Sequence, residues 1–131
     1  MTETAGPVEP TKVDKPWGEE LWFAAVDHAY AGKLITIHAG ASVSLQRHHQ
    51  KTETIMVLDG TGRVELGQFP DQLEPVELRP GTCVHIPAPW LHRFTADTEL
   101  RFIEVSTAHE GWTTDVERLE DHYGRGGTSA P

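Results

Sequence analysis

The chain has 131 residues, of which 37% are hydrophobic and 24% charged, and this composition predicts one globular domain. A net charge of -9 without any cluster of Lys and Arg excludes the electrostatics of a nucleic-acid-binding protein. The longest apolar stretch, residues 21–26, is too short to span a bilayer, and the N-terminus carries no signal-like segment. We therefore expect a soluble cytoplasmic protein that binds a small molecule rather than nucleic acid or membrane.

The two ends of the chain differ from its middle. Residues 1–12 carry prolines, threonines and acids with little to bury, and residues 124–131 are rich in Gly and Ser. Both segments are predicted to be mobile tails around a domain that spans residues 13–123. The single cysteine, Cys83, excludes an intrachain disulfide and is expected to be buried in a strand.

Short runs of β-branched residues alternate with turn signals such as Asp59-Gly60 and Pro80-Gly81. This pattern is typical of an all-β sandwich or small barrel, and periodicity alone favours neither. The predicted strands are Glu20–Val26, Lys33–His38, Ser42–His48, Thr54–Leu58, Gly62–Leu66, Val76–Leu78, Cys83–Ile86, His92–Ala96 and Leu100–Ser106.

One short helix is expected near the C-terminus. Thr114 and Glu117 have the spacing of a capping box. Val116 and Leu119 would then share one helical face, and Gly124 would stop the helix.

Four side chains with metal-binding chemistry are candidates to converge. Alternate residues of a strand share a face, so Gln46 and His48 point the same way. Glu53 follows after a tight connection, and His92 follows two prolines that stiffen the approach to its strand. Imidazole and carboxylate donors suit Zn, Fe, Ni or Mn, and an amide oxygen is a weaker neutral donor. Taken singly, each of these residues would more often be structural or solvated.

Two segments resemble the motifs of the cupin superfamily. Residues 40–60 resemble the first motif, with Gln46 in place of its usual first His. Gly81, Pro87 and His92 fall where the second motif has its Gly, Pro and metal-binding His, although other residues replace its usual second Gly and Asn. The resemblance implies a double-stranded β-helix, a jelly-roll barrel, with one divalent transition metal inside, and it implies a homodimer.

A narrower resemblance covers about nine tenths of the chain. It is carried by the segments Lys15–Gly18, Ser44–His49 and Arg118–Arg125. These segments resemble the cupin domain of type II mannose-6-phosphate isomerases and its small stand-alone relatives. The resemblance implies isomerisation of an aldose and a ketose phosphate, which requires a base, a polarised carbonyl and a cationic grip on phosphate. It also implies metal ligation, often of zinc, by Gln46, His48, Glu53 and His92.

The chain departs from the isomerase pattern around Glu53. Where those enzymes usually have Arg, Ser, Glu, His and Trp, residues 51–55 are Lys, Thr, Glu, Thr and Ile, which is expected to remove one His and one Arg from the pocket. The candidate catalytic residues are Glu53, Lys51, Tyr123 and Arg125. Tyr123 would lie in the pocket, and Arg125 would either grip an anionic group or belong to a salt-bridged clasp.

Other polar residues have two interpretations each. Lys33 is a candidate anion contact, although a solvated lysine is commoner. His38, His49 and Arg118 could either line the pocket or lie elsewhere, whereas His85 is predicted to be a hydrogen-bonded structural residue.

The leading functional hypothesis is a metal-dependent, isomerase-like enzyme that acts on a small polar metabolite of the sugar-phosphate class by Lewis-acid catalysis. Zn is the first expectation, followed by Fe, Mn or Ni. The alternatives are an iron-dependent oxygenase with a two-His one-carboxylate triad, a cyclase or bond-forming cupin in small-molecule biosynthesis, and a non-catalytic sugar-binding or regulatory module.

Overall fold

Strands make up almost all of the regular structure in the computed structural model, which describes residues 4–124 and residue 126. A single 3₁₀ turn, Trp112–Thr114, precedes the last strand of this part of the chain. The strands are β1 Thr11–Lys15, β2 Gly18–Val26, β3 Ala29–Ile37, β4 Leu45–Arg47, β5 Glu53–Asp59, β6 Gly62–Gly67, β7 Glu74–Leu78, β8 Cys83–Ile86, β9 Leu91–Ala96, β10 Leu100–Ala108 and β11 Glu117–Glu120.

The strands form two antiparallel sheets that enclose the core. One sheet has the order β1-β2-β3-β10-β5-β8, and the other has the order β11-β4-β9-β6-β7. Burial alternates along β10, where Leu100 and Phe102 point inward and Arg101 and Ile103 lie on the outer side, because successive strand residues face opposite ways. The predicted all-β cupin jelly roll is thereby confirmed. The inward side chains form one cluster: Trp17, Ile35, Ile37, Val43, Ile55, Val57, Val64, Leu78, Val84, Ile86, Phe94, Ala96, Leu100 and Phe102.

All nine predicted strands have counterparts, β2 to β10, but the edge strand β1 was not predicted. It begins at Thr11, two residues inside the segment predicted to be a mobile tail, and pairs with β2. The limits and the mobility of the two tails stay predictions. Among the described residues, no helix is long and apolar enough to cross a membrane.

The predicted C-terminal helix was wrong. Glu117–Glu120 forms β11 and pairs with β4, whose edge would otherwise lack a partner there. The hydroxyl of Thr114 donates backward to the carbonyl of Gly111 at 3.3 Å, so it is engaged outside the capping box. Val116 and Arg118 are both buried, which is the two-residue period of a strand rather than a helical face.

The outer side of the six-stranded sheet carries a continuous row of apolar side chains. Five of its residues are cross-strand neighbours, and we call them the outer apolar row: Leu21, Leu34, Ile103, Met56 and Cys83. The expectation that Cys83 is buried was wrong, because the alternation of β8 turns Val84 and Ile86 inward and leaves Cys83 exposed.

Candidate metal centre

Three of the predicted ligands meet at one end of the barrel. His48 follows β4, Glu53 opens β5, and His92 lies in β9 directly opposite Gln46. Oε1 of Glu53 lies 3.1 Å from Nε2 of His92 and 3.6 Å from Nε2 of His48. All three residues are buried, and one donor atom from each lies within 4.8 Å of the others. The strands thus direct three donors at one point, and two imidazoles with one carboxylate suit a divalent transition metal.

The orientation of both imidazoles is set by backbone carbonyl groups. Nδ1 of His48 lies 2.5 Å from the carbonyl oxygen of Asp115, and Nδ1 of His92 lies 3.1 Å from that of Trp90. Because a carbonyl oxygen can only accept, each Nδ1 carries the proton and each Nε2 presents a lone pair toward Glu53. Burial lowers the pKa of His48 despite the neighbouring Glu53 carboxylate, which favours the neutral form that binds metal.

The centre contains buried polar atoms without a hydrogen bond. Both carboxylate oxygens of Glu53 and Nε2 of His92 are inaccessible to solvent and have no hydrogen-bonding partner. Burial alone would raise the pKa of Glu53, but the positive charge of Lys51 holds that pKa well below its usual value, so the carboxylate is ionised. Unsatisfied buried groups of this kind are costly and rare. A divalent cation would satisfy all of these atoms, so the residues present fit the metal that the cupin fold implies.

Gln46 is the fourth predicted ligand and lines the same cavity. It is half-buried, and its Oε1 accepts a hydrogen bond from the hydroxyl of Ser44 at 2.7 Å. An amide oxygen has two acceptor positions, so this bond leaves one of them available.

A network of buried charges extends from the centre into the cavity. Nζ of Lys51 lies 3.7 Å from Glu53 and 3.2 Å from Glu104, and Nζ of Lys33 lies 3.9 Å from Glu104 and 3.2 Å from Glu20. Burial, together with the negative charge of Glu53, raises the pKa of Glu104 to about 8. The two lysines thus hold three carboxylates in a chain that leads away from the candidate ligands.

Two indole rings cover the far end of this network. Nζ of Lys33 lies 4.8 Å from the ring centre of Trp22 and 5.5 Å from that of Trp112, within the range of cation–π attraction. The cavity is open on one side, and it measures about 720 Å³ when the solvent space at its mouth is included. Its lining consists of Lys15, Trp17, Glu20, Trp22, Lys33, Ile35, Val43, Gln46, His48, Lys51, Glu53, His92, Phe94, Phe102, Glu104, Trp112, Thr113, Asp115, Val116 and Arg118.

The other predicted site residues fall into two groups. Lys51 and Arg118 are buried and line the cavity. Tyr123 does not line it: the chain turns after β11, and the Tyr123 side chain is left at the surface, 36% exposed. Tyr123 is therefore not among the lining residues, and its catalytic role stays a prediction. Arg125 lies outside the described residues.

Three other histidines, His38, His49 and His85, are not among the residues that line the cavity. His38 and His49 are exposed, and Nε2 of His49 lies 3.2 Å from Glu117. His85 is also exposed, and its Nδ1 lies 2.8 Å from the hydroxyl of Thr54.

The sequence was expected to have lost a pocket His at position 54, but Thr54 bonds to the exposed His85 and so lies outside the cavity. Alternate residues of β5 face opposite ways, so Glu53 and Ile55 point inward while Thr54 lies on the outer side. A His at position 54 of this chain would not enter the cavity. Lys51 keeps a cation at the position where Arg was expected, so the cavity has not lost a positive charge there.

Sequence reasoning missed Glu104 and Asp115. Glu104 had a usable signal, because it alternates with Phe102 and Ser106 and so is an acid in phase with inward residues. Asp115 had none, since its partners lie 64 to 67 residues earlier in the chain. Burial alone would raise the pKa of Asp115, but hydrogen bonds from three backbone N–H groups hold it below its usual value.

The family model described as mannose-6-phosphate isomerase C-terminal matches residues 7–121. The chain belongs to this family.

Curated relatives of this mannose-6-phosphate isomerase C-terminal domain include much longer proteins. The alginate biosynthesis protein AlgA of Pseudomonas putida is 34% identical over 134 residues, covering 99% of this chain and 25% of AlgA. The xanthan biosynthesis protein XanB of Xanthomonas campestris pv. campestris is 33% identical over 130 residues, covering 94% of this chain and 26% of XanB. The chain thus spans about a quarter of the length of these relatives.

Solved structures share the fold of this isomerase-family domain at low identity. The capsular polysaccharide assembling protein CapF from Staphylococcus aureus superposes with a TM-score of 0.75 at 18% identity, over 87% of this chain and 32% of CapF. A Streptomyces PAC13 variant with uridine superposes with a TM-score of 0.69 at 16% identity, over 92% of this chain and 93% of PAC13. These likenesses show the cupin fold alone.

Proposed function

We propose that the chain binds one divalent transition metal, zinc in the first instance, and catalyses isomerase-like chemistry on a small anionic metabolite of the sugar-phosphate class. The observation that carries the proposal is the convergence of His48, Glu53 and His92, with both Nε2 lone pairs directed at the carboxylate. Gln46 completes the proposed ligand set from the same face. When bound, the metal supplies Lewis-acid polarisation of a substrate carbonyl.

The charges of the cavity support an anionic substrate. Four cationic residues and four carboxylate residues line it, so their formal charges cancel when all eight are ionised; a divalent metal would then leave a net charge of +2, and the proton that Glu104 holds below about pH 8 makes the cavity more positive still. This excess lies in a chain whose overall charge is -9, so the cavity would be a positive region on an acidic protein. The eight residues are Lys15, Lys33, Lys51, Arg118, Glu20, Glu53, Glu104 and Asp115.

Lys51 has the best-defined catalytic position of the four cations. Its ammonium group is buried, and it lies 3.7 Å from Glu53 and 3.2 Å from Glu104. The opposite charges of these two carboxylates raise the pKa of Lys51 although burial opposes this, so the ammonium group keeps its proton. A fixed, protonated donor beside Glu53 can stabilise negative charge that develops on a substrate oxygen, which is what an enolate-type step requires.

Elemental analysis of the purified protein tests the metal site. Wild-type protein and His85→Ala are expected to contain about one transition metal per chain, and His92→Ala is expected to have lost it. His85→Ala is the matched control, because this His is exposed and contacts Thr54 rather than the centre. Folding of His92→Ala is checked by circular dichroism, and His92→Gln replaces it if it fails to fold. Wild-type protein without metal after reloading would overturn the proposal.

Proton exchange tests the chemistry. Incubation of zinc-loaded protein with mannose 6-phosphate in D₂O is expected to form the ketose phosphate and, where the base exchanges its proton with solvent, to place deuterium at the carbon beside the carbonyl. Sugar-phosphate binding with neither ketose formation nor deuterium incorporation would instead support the non-catalytic module.

We also propose that two copies of the chain associate through the outer apolar row. Val105, Met56 and Phe23 on this side of the sheet are 51%, 44% and 42% exposed, so one face of the sheet presents several large apolar side chains to solvent. The five residues of the row carry no charge, so an equally acidic second copy can approach there without like-charge repulsion.

A further inference from the structure

We propose that Asp115 is a positioning residue that holds the candidate metal ligand His48 and the segment after it in the geometry needed for metal binding. We call residues 48–52, which connect β4 to β5, the ligand loop. The inference rests on the proposed metal centre and adds a residue that lies outside the ligand set.

The carboxylate of Asp115 organises the backbone of the ligand loop. The N–H of His49 donates to Oδ1 at 2.7 Å, and the N–H groups of Gln50 and Lys51 both donate to Oδ2 at 2.9 Å. These three groups lie outside the strand ladders, because β4 ends at Arg47 and β5 begins at Glu53. One carboxylate therefore satisfies three consecutive donors and fixes the curvature of the loop.

The backbone of Asp115 acts on the ligand itself. Its carbonyl oxygen accepts the Nδ1 proton of His48, which orients the ring and turns Nε2 toward Glu53. Asp115 thus contacts the His48 side chain through one group and the next three residues through another. The loop carries His48 at its start, Lys51 near its end and Glu53 immediately after it, so its shape sets the spacing of all three.

Asp115 is itself held firmly. Its side chain is only 7% exposed, and Nε2 of His109 lies 3.3 Å from Oδ2. The 3₁₀ turn Trp112–Thr114 precedes it, and β11 follows two residues later, with Glu117 opposite Arg47 of β4. The C-terminal segment is therefore docked against the strand from which the ligand loop leaves.

If Asp115 only stabilised the fold, its substitution would give a different experimental result. The stability of the protein would fall, and the coordination geometry of the folded fraction would be unchanged. A positioning residue changes the affinity and the coordination geometry of the centre in protein that is still folded. Co²⁺ distinguishes the two, because its visible absorption depends on the number and arrangement of its ligands.

The experiment titrates metal-free wild type, Asp115→Asn and Asp115→Ala with Co²⁺ alone and records affinity and visible spectrum. Asp115→Asn keeps the side-chain shape but directs an NH₂ group at backbone donors. Both variants are expected to bind about 10- to 100-fold more weakly with an altered spectrum. The matched control is Asp59→Asn, which removes a carboxylate paired with Arg101 at 3.0 Å outside the cavity lining, and it should behave as wild type.

The possible results separate the positioning role of Asp115 from the metal function itself. A folded Asp115→Asn with the wild-type affinity and spectrum would overturn the positioning role while leaving the metal centre intact. Failure of both Asp115 variants to fold would make Asp115 a structural residue and would also overturn it. Wild-type protein that binds no Co²⁺ would instead refute the proposed metal function, so the two failures are distinguishable.

Discussion

Replacing Glu53 by Gln separates the metal centre from the stability of the fold. The substitution keeps the size of a side chain whose two oxygens are buried without a hydrogen bond, and it removes the charge that a cation would neutralise. In metal-free protein no hydrogen bond is lost, but the charge pair with Lys51 at 3.7 Å is removed while Lys51 keeps its shorter pair with Glu104, so we expect the free energy of unfolding to fall by no more than about 3 kcal/mol. The response to metal should disappear.

The size of that response follows from mass action. A ligand at about 100 times its Kd stabilises the folded state by about 2.7 kcal/mol. Unfolding a chain of 131 residues gains roughly 0.28 kcal/mol per kelvin of entropy, at about 2.1 cal/mol/K for each residue. Wild-type protein should therefore gain about 10 °C in Tm between chelator and saturating zinc, and Glu53→Gln should gain less than about 2 °C.

Thermal unfolding followed by circular dichroism measures both quantities. Glu65→Gln is the matched control, because this Glu pairs with Arg93 at 3.2 Å, and it should keep the full zinc-dependent rise in Tm. A rise in Glu53→Gln equal to that of wild type would refute the ligand assignment. A large loss of stability in metal-free Glu53→Gln would show instead that Glu53 has a structural role.

Three further substitutions test the cavity and the outer surface. Lys51→Met should weaken binding of inorganic phosphate to zinc-loaded protein about 10-fold or more in calorimetry, whereas Lys51→Arg keeps the charge and most of the affinity; equal affinities would contradict the role of Lys51. In metal-free protein the folded state holds a proton on Glu104 that the unfolded state releases above about pH 4.5, so the Glu104 contribution to stability should fall as pH rises from there to about 8, by at most about 1.4 kcal/mol per pH unit, whereas the lowered pKa of His48 acts in the opposite direction below about pH 6.5. Glu104→Gln should flatten that slope in urea denaturation, and an unchanged slope would exclude Glu104 as its source. Ile103→Asp should convert a dimer to a monomer in sedimentation velocity while Phe69→Asp, an equally polar change at an exposed Phe elsewhere, should not; a monomeric wild type would contradict the proposed association.

The strands predicted from the sequence are those whose signal is local. β10 alternates between buried and outward residues over all nine of its positions, and β3 does so from Lys33 to Ile37, so a two-residue period was readable directly. The edge strands β1 and β11 have the sequences TKVDK and ERLE, in which mostly polar residues leave the period unmarked. Their strand state comes from pairing with β2 and β4, which is tertiary information, and a capping-box spacing before β11 even favoured the wrong element.

The candidate ligands were also predictable from local sequence, whereas the residues that support them were not. Gln46, His48 and Glu53 lie within eight residues of one another, so strand alternation and one tight turn bring them together. The supports of the centre come from distant segments, because Asp115 meets the ligand loop across more than 60 residues of chain. Tyr123 is the converse case. It is close in sequence to Arg118, which lines the cavity, but the turn after β11 leaves the Tyr123 side chain outside the lining.

The donors of the candidate centre belong to both layers of the barrel. His48 and His92 extend from the five-stranded sheet, and Glu53 extends from the six-stranded sheet. An ion shared by them would act as a cross-link between the layers at the end where a cavity replaces packed side chains. Its loss would let the two sheets separate there more often, so amide hydrogens of β4, β5 and β9 near the mouth would exchange faster. Exchange near Val57 and Leu100, which are packed in the core, would stay slow.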